Sequence, residues 1–184
     1  MAVYTQINDP SAFFKCQLYT GTGSSNAITF NDTDTDMQPD LVWCKQRSAP
    51  AASHVLVDAV RGTGKFVNSN ANTQTTDDAY NVTAFGSDGF TVGAASGSGD
   101  INVSSETYVA WCWKANGSGS ANTAGSINTT KTSVESTAKF SINTYDGTGS
   151  NATIGHGLSA VPGFFLVKKT NSEKTCPPRF NIFE

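Results

Sequence analysis

The chain has 184 residues, a net charge of −3 and a pI near 5.3, with 15% charged and 38% hydrophobic residues. No Lys/Arg cluster exceeds two or three residues, which argues against a phosphate-tracking, nucleic-acid-binding surface. No apolar run approaches the roughly 20 residues of a membrane helix, so no membrane insertion is expected.

Ser, Thr, Asn and Gly supply 75 of the 184 residues, a proportion that starves long helices of their preferred residues. Thr, Val, Tyr, Phe and Trp stand in short runs between these turn formers, the pattern of twisted antiparallel sheet. The expected fold class is all-β. The opening MAVYTQINDPSAFF has neither a basic n-region nor an apolar h-region, so it does not read as a Sec signal and synthesis in a cytoplasm is expected.

Residues 1–11 read as an irregular leader. Ala12–Thr20 is a first strand, Gly21–Asn26 its turn and Ala27–Phe30 a second short strand. Asn31–Gln38 is a polar loop ended by Pro39, which cannot donate to a ladder and suits a strand entrance. Asp40–Arg47 is a strong strand, nearly continuous in Leu41, Val42, Trp43 and Cys44, as a buried central strand would be. Ser53–Val60 is either a strand or a single helical turn, Lys65–Asn68 a short strand and Asn70–Asp78 a polar connection.

Asn81–Phe85 and Phe90–Val92 flank Gly86-Ser87-Asp88-Gly89, and the Asp-Gly pair predicts a hairpin. Ala94–Asp100 is a Gly/Ser loop. Glu106–Ala115 (ETYVAWCWKA) is the longest apolar strand. Alternation places Tyr108, Ala110 and Cys112 on one face and Val109, Trp111 and Trp113 on the other, and the second set is expected to line the core. With them the core should hold Phe14, Leu18, Ile28, Leu41, Trp43, Val55, Phe85 and Phe90. Residues 117–133 read as a mobile Gly/Ser/Thr/Asn linker.

After that stretch the chain echoes itself. Phe14/Phe140, Tyr19/Tyr145, Gly21/Gly147, Gly23/Gly149 and Ser24/Ser150 share an offset of 126 residues, and Pro39/Pro162 and Lys45/Lys168 an offset of 123. A repeat of this size marks a modular array. The expected organisation is a β-sandwich module over 1–116, jelly-roll-like, the linker, and a partial copy over 134–184 with strands at Lys139–Tyr145, Ala152–Ile154 and Gly163–Lys169. Glu173–Glu184 departs from the module in character and suggests that the second copy is truncated.

The phrases Y-x-G-x-G (Tyr19–Gly23), Q-P-D-L-V-W-x-K-x-R-S (Gln38–Ser48), S-D-G-F-T-V-G (Ser87–Gly93) and Y-V-A-W-C-W-K (Tyr108–Lys114) together resemble a group of virion-associated proteins of marine and cyanobacterial phages. The shorter Gly155–Pro162 echo belongs with them. The resemblance covers about residues 12–172. It implies a tail-fibre, adhesin or capsid-surface module of concanavalin-like β-sandwich kind, located on the virion, with other virion proteins and host-surface polysaccharide as partners and self-association into homo-oligomers. Asn-x-Ser/Thr sequons such as Asn81-Val82-Thr83 then carry no glycosylation meaning.

Signatures of chemistry are weak. Arg61-Gly62-Thr63-Gly64-Lys65 lacks the first glycine and the final hydroxyl of a phosphate loop, with Ala59 and Phe66 at those places, and reads as a turn. Asp32, Asp34 and Asp36 alternate as calcium ligands do, yet Met37 and Trp43 stand where an EF-hand needs Gly and Glu. A looser loop site for calcium or a solvated acidic loop are the two readings. Ser53, His54 and Asp58 are triad residue types without a nucleophile elbow, and His156 lies in a Gly-His-Gly turn where its ring can bond nearby backbone.

Trp43, Trp111 and Trp113 are either a sugar-stacking platform or core, and their apolar surroundings favour core. Tyr80 and Phe90, flanking the hairpin, are the loop aromatics available to a glycan. The four cysteines, Cys16, Cys44, Cys112 and Cys176, match no zinc spacing and are expected as core thiols. The sequence therefore predicts a non-enzymatic virion attachment or structural protein, with a glycan-binding module as the alternative.

Overall fold

The computed structural model describes residues 7–49, 51–72, 80–95 and 100–171, with the backbone of 76–77. After a 3-10 turn at Pro10–Ala12, twelve strands follow in chain order. They are β1 (Phe14–Thr20), β2 (Asn26–Thr29), β3 (Leu41–Gln46), β4 (His54–Asp58), β5 (Lys65–Asn68), β6 (Thr76–Asp77), β7 (Val82–Gly86), β8 (Gly89–Val92), β9 (Thr107–Trp113), β10 (Ser120–Asn122), β11 (Thr129–Glu135) and β12 (Phe140–Thr144). The described ladders between them are all antiparallel. The segment that read as strand or helical turn is β4, a strand.

Three sheets result: a six-stranded one in the order β1-β9-β3-β4-β5-β6, and two three-stranded ones, β2-β8-β7 and β10-β11-β12. The first two form an antiparallel β-sandwich. Its core joins Val42, Cys44, Val55, Val57, Phe66, Tyr108, Ala110 and Cys112 of the large sheet to Ile28, Val82, Phe90 and Val92 of the small one. Phe30, Met37 and Ile101 from loops close the ends.

The core takes the face of β9 opposite to the expected one. Tyr108, Ala110 and Cys112 are fully buried, while Val109, Trp111 and Trp113 point outward and are half-buried. Paired sheets leave a layer about 10 Å thick. Phe30, Met37, Phe66 and Phe90 already fill it, so the central strands contribute small groups, Ala110, Cys112 and Cys44, in a large-against-small fit. Indoles at 111 and 113 have no room there. Trp43 pairs with Trp111 and Leu41 with Trp113 across β3 and β9, so both expected core residues of β3 turn outward with them.

Register carries the inversion into β1. Phe14, Cys16 and Leu18 lie opposite Trp113, Trp111 and Val109 and share their outer face, and Phe14 and Leu18 are 40% and 54% exposed. Neither is core, and Cys16 is an exposed thiol. Lys15 takes the inner face, 5% exposed. Its Nζ donates to Asp32 Oδ1 at 2.6 Å and lies 5.4 Å from the centre of the Phe30 ring. Ile28, Val55 and Phe90 are core, and Phe85 packs at its margin.

The hairpin is present as β7–β8, with Gly86 opposite Gly89. Its two loop residues are Ser87 and Asp88, and Gly89 alone carries positive φ, +131°. A Cβ on Gly89 would stand 2.0 Å from the Ile28 carbonyl oxygen, so β2 needs glycine there as much as the turn does.

Residues 117–133 are not a linker. They contain β10 and most of β11, joined to β12 in one sheet. Hydroxyls do the work of apolar groups here: Thr129 Oγ1 and Thr132 Oγ1 are 2.8 Å apart, and Thr132 Oγ1 donates to Asn143 Oδ1 at 2.8 Å. Thr129, Thr132 and Ser133 are buried. A composition low in apolar residues still orders when its buried polar groups bond one another.

This third sheet lies against the outer face of the large one. Lys131 Nζ donates to the Val60 carbonyl at 3.2 Å, Lys168 Nζ to that of Ala71 at 2.5 Å, and Phe140 stacks on Trp113. Leu56 and Val67, paired on that outer face, are buried as well. Strands covered on both sides read as continuous apolar runs, which accounts for Leu41–Cys44 and Val55–Val57. The expected Glu173–Glu184 tail, Cys176 and residues 1–6 of the leader lie outside the described residues.

Candidate functional site

Alternation along three neighbouring strands builds one surface. β1 contributes Phe14, Cys16 and Leu18, β9 contributes Val109, Trp111 and Trp113, and β3 contributes Leu41, Trp43 and Lys45. Trp43 and Trp111 meet edge to face with ring centres 6.1 Å apart, Trp43 and Trp113 are 6.5 Å apart, and Phe14 and Trp113 are 5.0 Å apart. The result is an aromatic and aliphatic strip on the exterior of a sandwich. An apolar outer face paired with a buried lysine on the inner one inverts the usual partition. Such patches mark contact surfaces.

Polar groups rim the strip. Trp43 Nε1 donates to His54 Nδ1 at 2.9 Å, which fixes the ring and leaves Nε2 to carry the proton of the neutral form. Partial burial and the nearby Lys45 ammonium hold the His54 pKa below its ordinary value of 6.5. Lys45 Nζ donates to the carbonyls of Gln46 and Ala49. Glu106 accepts from the Ser48 hydroxyl and, at 3.0 Å, from the Gln46 amide, and these bonds lower its pKa. Rigid indole faces beside fixed donors and acceptors suit stacking against an apolar partner surface, whether a protein side chain or a pyranose ring.

The other candidates from the sequence fall elsewhere. Tyr80 is 49% exposed, but Phe90 is 2% exposed inside the sandwich core. As a glycan contact Phe90 is therefore a correction, because Phe90 lies on the inward face of β8, opposite Ile28. Asp32 is bound to Lys15, and the Asp34 amide donates to Asp32 Oδ1 at 3.2 Å. Asp34 and Asp36 are exposed. Among the described residues no group of three or more His, Cys, Asp or Glu is placed to hold a metal ion.

His54 and Asp58 share the outer face of β4 but stand about 13 Å apart at ordinary strand rise. Asp58 is taken by Arg61, through Nε at 2.6 Å. No triad forms from them. Arg61–Gly64 lies in the turn between β4 and β5, with φ of +98° and +76° at Gly62 and Gly64, and Lys65 opens β5. His156 Nδ1 accepts from the Leu158 amide at 3.1 Å, a local backbone bond.

Two features escaped the sequence reading. The first is the exposure of Phe14 and Leu18, expected in the core: Lys15 and Gln17, not they, share the face of the fully buried Tyr108 across the ladder. The second is the stretch Gly163–Lys169, expected as a strand, which enters no strand among the described residues and leaves Val161 and Phe164–Val167 36–76% exposed.

The fold and this surface define an antiparallel β-sandwich with an added third sheet and an outward aromatic strip. The chain belongs to the family described as Domain of unknown function (DUF7483), whose match spans residues 9–177. No curated protein and no solved structure matches it. Among the described residues no helix is long and apolar enough to cross a membrane.

Proposed function

We propose that this protein is a non-enzymatic attachment or assembly module of a phage virion surface, a tail-fibre or capsid-surface component that works by contact. The observation that carries the reading is the inversion at β1. Phe14 and Leu18 face out beside Trp111 and Trp113, while Lys15 is buried and paired with Asp32. Leaving large apolar groups in water costs about 25 cal/mol per Å² that burial would recover, and a partner surface recovers it. Many copies on a particle would multiply weak contacts into firm attachment.

Mass spectrometry of gradient-purified particles from cultures making the protein tests this. A fixed stoichiometry per particle supports it, and confinement to the soluble lysate fraction overturns it.

A second reading has its own support. Trp43 and Trp111 lie outside the core and are half-buried, so their open faces can stack on pyranose rings as the rings of glycan-binding modules do, while Trp113 is already covered by Phe14 and Phe140. His54, Lys45 and Glu106 would supply polar contacts to sugar hydroxyls. Quenching or blue-shift of tryptophan emission on titration with isolated host-surface polysaccharide supports this reading. An unchanged spectrum together with no retention on the immobilised polysaccharide overturns it.

A further inference from the structure

Asn116 is the one asparagine of the chain that is followed by glycine. The pair lies in the connection between β9 and β10, and β10 is an edge strand of the third sheet. Glycine matters here for chemical as well as conformational reasons. With no Cβ on the following residue, its amide nitrogen can reach the asparagine Cγ and close a five-membered ring.

The fold leaves this pair open while it ties down others. Asn116 is exposed, and among the described residues neither its side-chain amide nor the Gly117 N–H has a hydrogen-bond partner. Gly117 has a φ of +61°, and a Cβ built on it would meet nothing within 4 Å. Elsewhere the amides are engaged. Asn102 Nδ2 donates to the Ser24 and Gly93 carbonyls, Asn122 Nδ2 to that of Gly155, and Asn143 Nδ2 to Ser141 Oγ. Such bonds hold the carboxamide in place and oppose its swing toward the following nitrogen.

We infer that Asn116–Gly117 is a site of self-modification, at which the chain forms a succinimide and water opens it to aspartate or isoaspartate. The Gly117 nitrogen gives its proton to solvent and bonds to Asn116 Cγ. The Cγ–Nδ2 bond breaks and that nitrogen leaves as ammonia. Water added at Cγ restores the ordinary main chain with aspartate at 116. Water added at the former main-chain carbonyl routes the chain through Cγ, as isoaspartate. No atom is oxidised or reduced, and water is the one reactant consumed.

The extra main-chain carbon of isoaspartate falls at a tight place. Ala115 N–H donates to the buried Asp40 Oδ2 and Asn116 N–H to the buried Ser133 Oγ, each at 2.7 Å. Both anchors precede the altered link. Beyond it, Gly119 lies so close to β11 that a Cβ would stand 2.4 Å from the Thr132 carbonyl oxygen, and Ser120 pairs with Thr132. A backbone lengthened between fixed anchors and so close a contact cannot keep both, so isoaspartate releases β10 from β11. None of this depends on what the outer strip contacts.

The test ages the full chain in mildly alkaline buffer beside the isolated peptide Ala115–Lys131. Trypsin releases the same peptide from the protein, and tandem mass spectrometry locates the mass gain that accompanies exchange of –NH2 for –OH. Conversion at Asn116 is expected in the folded protein within about tenfold of the peptide's rate, a barrier difference of at most about 1.4 kcal/mol. It should quicken as pH rises, because the nucleophile is the deprotonated amide. Labelling by isoaspartyl methyltransferase should report the rearranged product. Asn116→Gln, which would need a six-membered ring, should abolish conversion and leave hydrogen exchange of the fresh protein unchanged. Aged wild-type protein should exchange faster across Ser120–Asn122, and aged N116Q should not. Conversion of the peptide with none in the folded protein, equal conversion at Asn122 or Asn128, or an aged, converted protein with unchanged exchange in β10 would overturn the inference.

Discussion

Phe140 stacks on Trp113 with ring centres 6.0 Å apart and planes 20° apart, while its repeat partner Phe14 lies against the same indole at 5.0 Å. Two phenylalanines that the repeat relates thus meet on one tryptophan, one from each unit. The contact joins the third sheet to the sandwich. Because that sheet buries hydroxyls rather than an apolar core of its own, much of its stability comes from docking.

Phe140→Ala should therefore cost about 1–3 kcal/mol, combining lost burial with a lost aromatic pair. Urea unfolding monitored by tryptophan emission measures it. Hydrogen exchange should place the loss first in β10–β12.

Leu18→Ser should leave stability within about 0.5 kcal/mol, because more than half of that side chain is in water in the isolated protein, whereas Phe14→Ser should cost about 1 kcal/mol through its lost contact with the Trp113 ring. Under the proposed function, particle attachment falls in both. A stability loss like that of a core substitution would show that the outer strip is structural instead.

Tyr108→Phe tests the inner face. The buried phenol accepts from the Val103 amide at 3.0 Å, and removing it leaves that amide without its acceptor. A loss of about 1–3 kcal/mol is expected, measured by denaturant titration, with the Tyr19–Tyr108 stack retained as a phenyl contact.

Thiol chemistry should divide by face. Burial pushes the Cys44 thiol up to about 12 and Cys112 well above its ordinary value, and neither is accessible. Cys16 is exposed. Iodoacetamide on the native protein should modify Cys16 and leave Cys44 and Cys112 intact until the chain is unfolded, as read by peptide mass spectrometry.

Acid should act through His54. Its folded pKa lies below 6.5, so near and below pH 6.5 the unfolded chain binds the proton more readily than the folded one. The contribution of the neutral ring is complete above pH 6.5 and is lost as pH falls from there through the depressed folded value. Protonation also removes the acceptor that Trp43 Nε1 uses. Tryptophan emission should titrate with a midpoint below 6.5, and His54→Gln should abolish that step.

Local chemistry made much of the architecture legible. The strands β3, β8 and β9, the Gly86–Gly89 hairpin turn, the Gly62–Gly64 turn and the repeat of Phe14–Ser48 all follow from β-forming runs punctuated by glycine and polar turn residues. These signals act within a few residues, so a sequence carries them whole. The class, an all-β sandwich, follows from their sum.

Three other outcomes depended on distant partners. Alternation divides β9 into two faces but does not choose between them. The narrow layer between the sheets chose Ala110 and Cys112 over Trp111 and Trp113, and register carried Phe14 and Leu18 outward with the indoles. Composition made 117–133 resemble a linker, until Thr129, Thr132 and Asn143 found one another. Phe164–Val167 has the same apolar run as Leu41–Cys44 but enters no strand among the described residues, whereas Leu41–Cys44 is ordered into β3 by its register with β9 on one side and β4 on the other.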